Sequence, residues 1–162
     1  MRRFLLALFA APALPALAQT TPPAAATPSA DEAAVRAVLQ QYQRAVQRLD
    51  TTGTTRLFVP TSVVVESGSR EGTYAHYRDH HLGPELKEFS SFTYSDYQAD
   101  VTVDGPYAFA TESYSYTIGL KKGPKDAAVP APIKRRGVAT SVLRKNAAGQ
   151  WQFVVTHSSA RK

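Results

Sequence analysis

The chain has 162 residues, 19 Lys and Arg against 13 Asp and Glu, and no cysteine. The length fits one domain once a leader is set aside. The missing thiols exclude disulfide scaffolds, thiol nucleophiles, zinc-thiolate sites and a lipoprotein anchor.

Met1 is followed by Arg2 and Arg3, an apolar run from Phe4 to Leu14, and then Ala16-Leu17-Ala18. A positive start, a short apolar middle and small residues before a cut define a secretory signal peptide over 1–18. The run is too short for a bilayer span. Cleavage near Ala18 predicts a periplasmic or secreted protein with no membrane span. Without Arg2 and Arg3 the charge falls to 17 basic against 13 acidic residues. That mild excess does not mark a nucleic-acid binder, so none is expected as a partner. Residues 19–28, rich in Pro, Ala and Thr, read as a disordered linker, and the domain proper spans 29–162.

Ser29-Ala30-Asp31-Glu32 matches a capping box. Val35, Val38, Leu39, Tyr42, Ala45, Val46 and Leu49 then recur at three- and four-residue spacing, predicting an amphipathic helix that closes near Asp50 and Gly53. Thr54–Phe58 reads as a short second helix stopped before Pro60. Ser62–Glu66 reads as a strand with a turn at Ser67-Gly68-Ser69. Thr73 caps a third helix from Tyr74 to Leu82, with Gly83 and Pro84 as its stop signal.

The rest is β. Phe89–Val103 and Tyr107–Ile118 alternate around an Asp104-Gly105 turn, and Val138–Leu143 and Trp151–His157 form a last pair joined around Asn146–Gly149. Gly119–Pro132 reads as an exposed loop. Its Lys121, Lys122 and Lys125, with Lys134, Arg135 and Arg136, make a solvated basic hairpin; weak affinity for anionic envelope surfaces is the functional version. Helices followed by hairpin-linked strands mean an α+β fold with helices on one face of a curved antiparallel sheet.

Two-residue periodicity puts Trp151, Phe153, Val155 and His157 on one face of the last strand, read as the core face. His157 is therefore expected inward, as a buried structural residue or as a catalyst. On the third helix, Tyr74, Tyr77, Arg78 and His81 share one side, while His76 and His80 stack at i, i+4. The latter pair could grip a metal with Glu85 or His157, although the adjacent glutamate of a metalloprotease motif is missing. The alternative is a solvated polar face with no metal and no cofactor. Tyr74, Tyr77, Tyr94, Tyr97, Tyr107, Tyr114 and Tyr116 are candidates to line a cavity or to pair across strands on the solvent side. Glu66 and Glu112 sit in apolar surroundings. Each is either a buried acid–base group with a raised pKa or the partner of Arg136, Arg144 or Arg161. No nucleophile elbow, Walker loop or dinucleotide fingerprint is present.

The element order, with the closing strand Gly149-Gln150-Trp151-Gln152-Phe153-Val154-Val155-Thr156-His157-Ser158-Ser159, resembles the nuclear transport factor 2-like superfamily. Within it, the chain looks like the exported SnoaL-like and ketosteroid-isomerase-like members and echoes the association domain of calcium/calmodulin-dependent kinase II. Glu71-Gly72-Thr73-Tyr74 and His80-His81-Leu82-Gly83-Pro84-Glu85 are similar to the third-helix signature of one bacterial branch. The resemblance covers about residues 30–160. It implies a cone of three N-terminal helices on a strongly curved antiparallel sheet, a deep cavity between the third helix and the sheet, and a homodimer through the sheet. It places His157 in the cavity opposite Tyr77 and His81. The strand aspartate of ketosteroid isomerase and the full Tyr-Tyr-Asp-His-His set of scytalone dehydratase have no counterpart here.

The expected function is a small-molecule-binding domain for an apolar or aromatic ligand. His157 and His81 are its catalytic candidates, and Tyr74, Tyr77, Trp151, Glu66 and Tyr114 its ligand-binding residues. The alternatives are an isomerase, dehydratase or cyclase using His157 or a buried carboxylate, and a dimerisation or scaffold module.

Overall fold

The computed structural model describes residues 29–125 and 127–161. The leader and linker expected at 1–18 and 19–28 lie outside the described residues.

Helix α1, Ala30–Gln47, begins on the expected capping box: the Ser29 hydroxyl accepts from the Glu32 amide and Glu32 accepts from the Ser29 amide. Its apolar stripe buries Val35, Val38, Leu39, Ala45 and Val46. A 3-10 turn, Thr54–Leu57, leads into strand β1, Phe58–Glu66. Ser67 and Gly68 then turn the chain with φ of 49° and 90°. Positive φ at both central residues matches the twist of a tight hairpin. The turn delivers β2, Ser69–Gly72, a strand too short and polar to show in the sequence pattern.

The third helix does not stop at Gly83-Pro84. It runs as α2, Tyr74–Tyr77, a π-turn over Arg78–Leu82, and α3, Gly83–Glu88. The Gly83 amide donates to the Arg78 carbonyl, five residues back. Opening the helix by one residue in this way creates room for a glycine and a proline without breaking it. A Cβ at Gly83 would lie 2.6 Å from the Arg78 oxygen, so glycine is present for space, its φ of −62° being ordinary.

Strands β3 (Phe89–Asp104), β4 (Tyr107–Leu120), β5 (Ile133–Lys145) and β6 (Trp151–Arg161) complete one six-stranded sheet in the order β2-β1-β6-β5-β4-β3. Every neighbouring pair is antiparallel except β1 with β6, so the sheet is mixed rather than wholly antiparallel. The fold is an α+β cone: helices cover the concave face of a bent sheet.

Two bulges reverse the pleat. On β3, Ser95 pairs with Ser115 but Gln98 with Ser113, and Asp96 takes a φ of 53°. The inward set therefore changes from Phe92 and Tyr94 to Tyr97, Ala99, Val101 and Val103. On β6, Phe153 pairs with Leu143 and Val155 with Val142, so β6 spends two residues where β5 spends one. An extra residue bends a strand and turns every later side chain to the other face.

The core joins the α1 stripe to an aromatic stack. Phe58 lies flat between Tyr74 and Phe153, with ring centroids 3.6 and 4.6 Å away, and Tyr42 meets all three edge-on. Leu143 is fully buried in the same core.

Candidate functional site

Small residues punctuate the inner face of β4 and β5. Ala108, Ala110, Ser141, Ala139 and Gly137 face inward along these strands and are all buried. Of these, Ala139 lines a hollow between the helices and the sheet. This cavity of about 390 Å³ is large enough for a small ligand. Its walls carry the aromatic rings of Tyr42, Phe89, Phe92, Tyr94, Tyr114 and Tyr116, and three carboxyls, Glu66, Glu85 and Glu112, line it as well.

At the mouth, Glu66 from β1, Glu71 from β2, and Tyr77, His81 and Glu85 from the third helix converge. The Tyr77 hydroxyl donates to Glu66 Oε2 at 2.7 Å. His81 Nδ1 lies 3.0 Å from Glu71 Oε2, and its Nε2 lies 3.3 Å from Glu85 Oε1 and 3.8 Å from Glu66 Oε2. Its bond to Glu71 and the other two carboxylates raise the His81 pKa against the opposing effect of burial. The same bond lowers the Glu71 pKa. Glu85 moves upward, because desolvation outweighs the attraction of His81. Glu71 thus fixes one imidazole nitrogen and orients the ring, while the other nitrogen faces the Glu85 and Glu66 carboxylates, an arrangement that lets the histidine exchange a proton with either.

The π-turn builds this cluster. In an unbroken α-helix, residues 77, 81 and 85 would drift by about 40° per four-residue step. The wider turn takes up much of that drift, so Tyr77, His81 and Glu85 all reach the Glu66 side.

Deeper in, Glu112 on β4 is only 8 % exposed. Tyr97 donates to its Oε2 at 2.8 Å. Burial raises the carboxyl pKa, and the Tyr97 bond only partly opposes it. Burial likewise pushes the Tyr77 and Tyr97 hydroxyls up, which keeps them protonated as donors. Neither Glu66 nor Glu112 is paired with an arginine among the described residues.

Of the residues expected at the site, Tyr77, Glu66 and Tyr114 line the cavity, and His81 borders it through Glu66 and Glu85. His157 does not. It is exposed on the outer face, level with Thr140 and Val65, and Thr156 and Ser158 line the cavity in its place. The bulge at Val154 is the reason: Trp151 and Phe153 point inward as expected, and parity is lost after them. Tyr74 and Trp151 belong to the framework. Tyr74 is 1 % exposed, its hydroxyl 2.6 Å from that of Thr54 and its amide donating to Ser62 Oγ. Trp151 Nε1 donates to Asp31 Oδ1 at 3.2 Å, an acid that also accepts from Lys145, so Trp151 ties β6 to the start of α1. His76 and His80 lie with ring centroids 4.5 Å apart and planes tilted by 38° on an exposed face. No group of three or more His, Asp or Glu among the described residues is arranged to hold a metal ion. Glu71 is absent from the sequence-based set, since no periodicity links it to a histidine ten residues on; only the β1–β2 hairpin brings it there.

A helix-covered, curved sheet enclosing a small-molecule-sized hollow defines the cone-fold class. The SnoaL-like domain family matches residues 35–161, and the chain belongs to that family, within the nuclear transport factor 2-like superfamily. No curated protein matches it. Among solved structures it is similar to a nuclear transport factor 2-like superfamily protein from Salmonella enterica serovar Typhimurium, at 19 % identity, TM-score 0.66, covering 79 % of this chain and 89 % of that one. It is also similar to a ketosteroid isomerase-like protein from Erwinia carotovora atroseptica, at 18 % identity, TM-score 0.61, covering 80 % and 95 %. An uncharacterised protein with a cystatin-like fold from Caulobacter vibrioides matches at 16 % identity, TM-score 0.61, covering 80 % and 89 %. These likenesses establish the fold.

Proposed function

We propose that this chain is an exported small-molecule-binding domain that takes an apolar or aromatic ligand between the third helix and the sheet. The observation that carries this reading is the hollow itself: about 390 Å³, lined by aromatic rings and by the Glu66, Glu85 and Glu112 carboxyls. Export rests on the leader-like start of the sequence, and no helix among the described residues is long and apolar enough to cross a membrane.

The test uses the uncharged environment-sensitive dye N-phenyl-1-naphthylamine. Wild type binds it saturably at one site, with enhanced fluorescence. Ala139→Phe places a ring on the cavity floor and abolishes that signal, while His157→Ala on the outer face leaves it unchanged. Saturable binding that survives Ala139→Phe refutes the reading.

Two further readings have support. An isomerase-, dehydratase- or cyclase-type enzyme is favoured by the Glu71–His81 pair and the buried Glu112 carboxyl, groups suited to moving a proton beside a carbonyl. His157 faces away from the cavity and is left out of this reading. A homodimer through the sheet is favoured by exposed Tyr107, Phe109 and Val138 on its outer face.

A further inference from the structure

The register of the sheet links the two polar ends of the cavity. Glu66 pairs with Ser158, Ser158 with Ala139, and Ala139 with Glu112, so the two carboxyls close one continuous row across β1, β6, β5 and β4. Paired residues share a face, and all four line the cavity. Three strand spacings of about 4.8 Å put the two glutamate Cα atoms at most roughly 14 Å apart, and inward curvature shortens this. Between them the floor carries only a hydroxymethyl and a methyl group.

The ends are built alike. Each glutamate accepts a tyrosine hydroxyl on Oε2, Tyr77 at 2.7 Å for Glu66 and Tyr97 at 2.8 Å for Glu112. Tyrosine fixes the carboxyl rotamer and leaves Oε1, which makes no hydrogen bond among the described residues. The ends differ in depth: the Glu66 side chain is 31 % exposed at the mouth, whereas Glu112 is 8 % exposed. Arg135 is the one cation among the described residues lining the cavity, and it lies off the row, four residues along β5 from Ala139.

We propose that the cavity selects an elongated, uncharged ligand with an aromatic or apolar middle and a hydrogen-bonding hydroxyl or carbonyl at each end, one end held by Glu66 at the mouth and the other by Glu112 at depth. This rests on the cavity-binding reading above and adds length, polarity at both ends and absence of charge. Allowing a hydrogen bond at each end leaves roughly 8 Å or less between the ligand oxygens, the span of one ring with a short arm on either side. A dianion of the same shape is rejected. Its inner carboxylate would meet Glu112 with no cation beside it in the row. Its outer one would meet Glu66, Glu71 and Glu85, with the single imidazole of His81 set against all three. Burial has raised the Glu112 pKa, so this carboxyl can donate a proton to a neutral acceptor as well as accept one.

The probes are p-xylene, 4-methylbenzyl alcohol, 1,4-benzenedimethanol and terephthalate, titrated at pH 7 into the full-length protein and read by amide chemical shifts. Affinity should rise about three- to tenfold with each hydroxyl, the usual net worth of one hydrogen bond, and terephthalate should bind weakest. Glu66→Leu and Glu112→Leu should each lower the diol to the mono-alcohol's affinity and leave p-xylene within twofold. Glu112→Gln, which keeps the shape of the buried group, should tighten terephthalate at least fivefold and guards against misfolding of the leucine variant. A diol that binds no tighter than the mono-alcohol, or a terephthalate that matches the diol, overturns this inference alone, provided p-xylene binds. If no probe binds, the cavity reading falls as well.

Discussion

Gly83→Ala is the sharpest probe of the π-turn. In an ordinary exposed helix this change stabilises by about 1 kcal/mol, because alanine is the better helix former. Here the added Cβ would stand 2.6 Å from the Arg78 carbonyl oxygen, well inside van der Waals contact. That atom is backbone and cannot rotate away, so the turn must deform. Overpacking of this kind costs roughly 1–3 kcal/mol, which exceeds the propensity gain. The net expectation is a loss of about 1 kcal/mol, or roughly 3 °C in Tm for a domain of this size. The sign is diagnostic. Urea denaturation of the two proteins measures it, and NMR titration of His81 reads the second consequence. Tightening the turn would swing His81 away from Glu71, and its raised pKa would fall towards 6.5. A more stable Gly83→Ala protein with an unchanged His81 titration would refute the steric account and the alignment of Tyr77, His81 and Glu85 built on it.

The bond to Glu71 is the largest cause of the raised His81 pKa, so Glu71→Gln should lower that pKa in an NMR titration. The raised folded value adds stability that is fully present below about pH 6.5 and is lost as pH climbs through the folded pKa. Denaturation midpoints for Glu71→Gln should therefore change less across that interval than those of wild type. On the outer face, Phe109 pairs with Val142 and Val142 with Val155, giving an apolar row in which Phe109 is 49 % exposed. Wild type is expected to sediment as a dimer at micromolar concentration, and Phe109→Asp as a monomer with its thermal midpoint preserved. A wild-type monomer under those conditions counts against the dimer.

Local signals in the sequence were sufficient for most elements. Ser29 and Glu32 mark the start of α1, the three- and four-residue repeat from Val35 marks its buried face, and alternation with Asp104-Gly105 marks the β3–β4 hairpin. Each depends on neighbours within a few residues, which is the range over which capping, periodicity and turn chemistry act. Glu66 and Glu112 also stood out, because a carboxylate within an apolar strand needs a compensating partner. Their tyrosine partners became visible only in the folded chain.

Tertiary structure decided the rest, and the closing strand shows why. Two-residue periodicity holds through Trp151 and Phe153 and fails one residue later. A bulge is a property of how β6 meets β5, and no side chain near Val154 announces it. That single inserted residue sends His157 to the outer surface and gives the cavity Thr156 and Ser158. Glu71 reaches His81 through a hairpin too short to show a pattern, and Glu66 joins Glu112 through strand pairings between segments far apart in the chain. The sequence determined which groups could do chemistry. Packing and register determined which of them meet, because side-chain direction in a sheet is inherited from the partner strand.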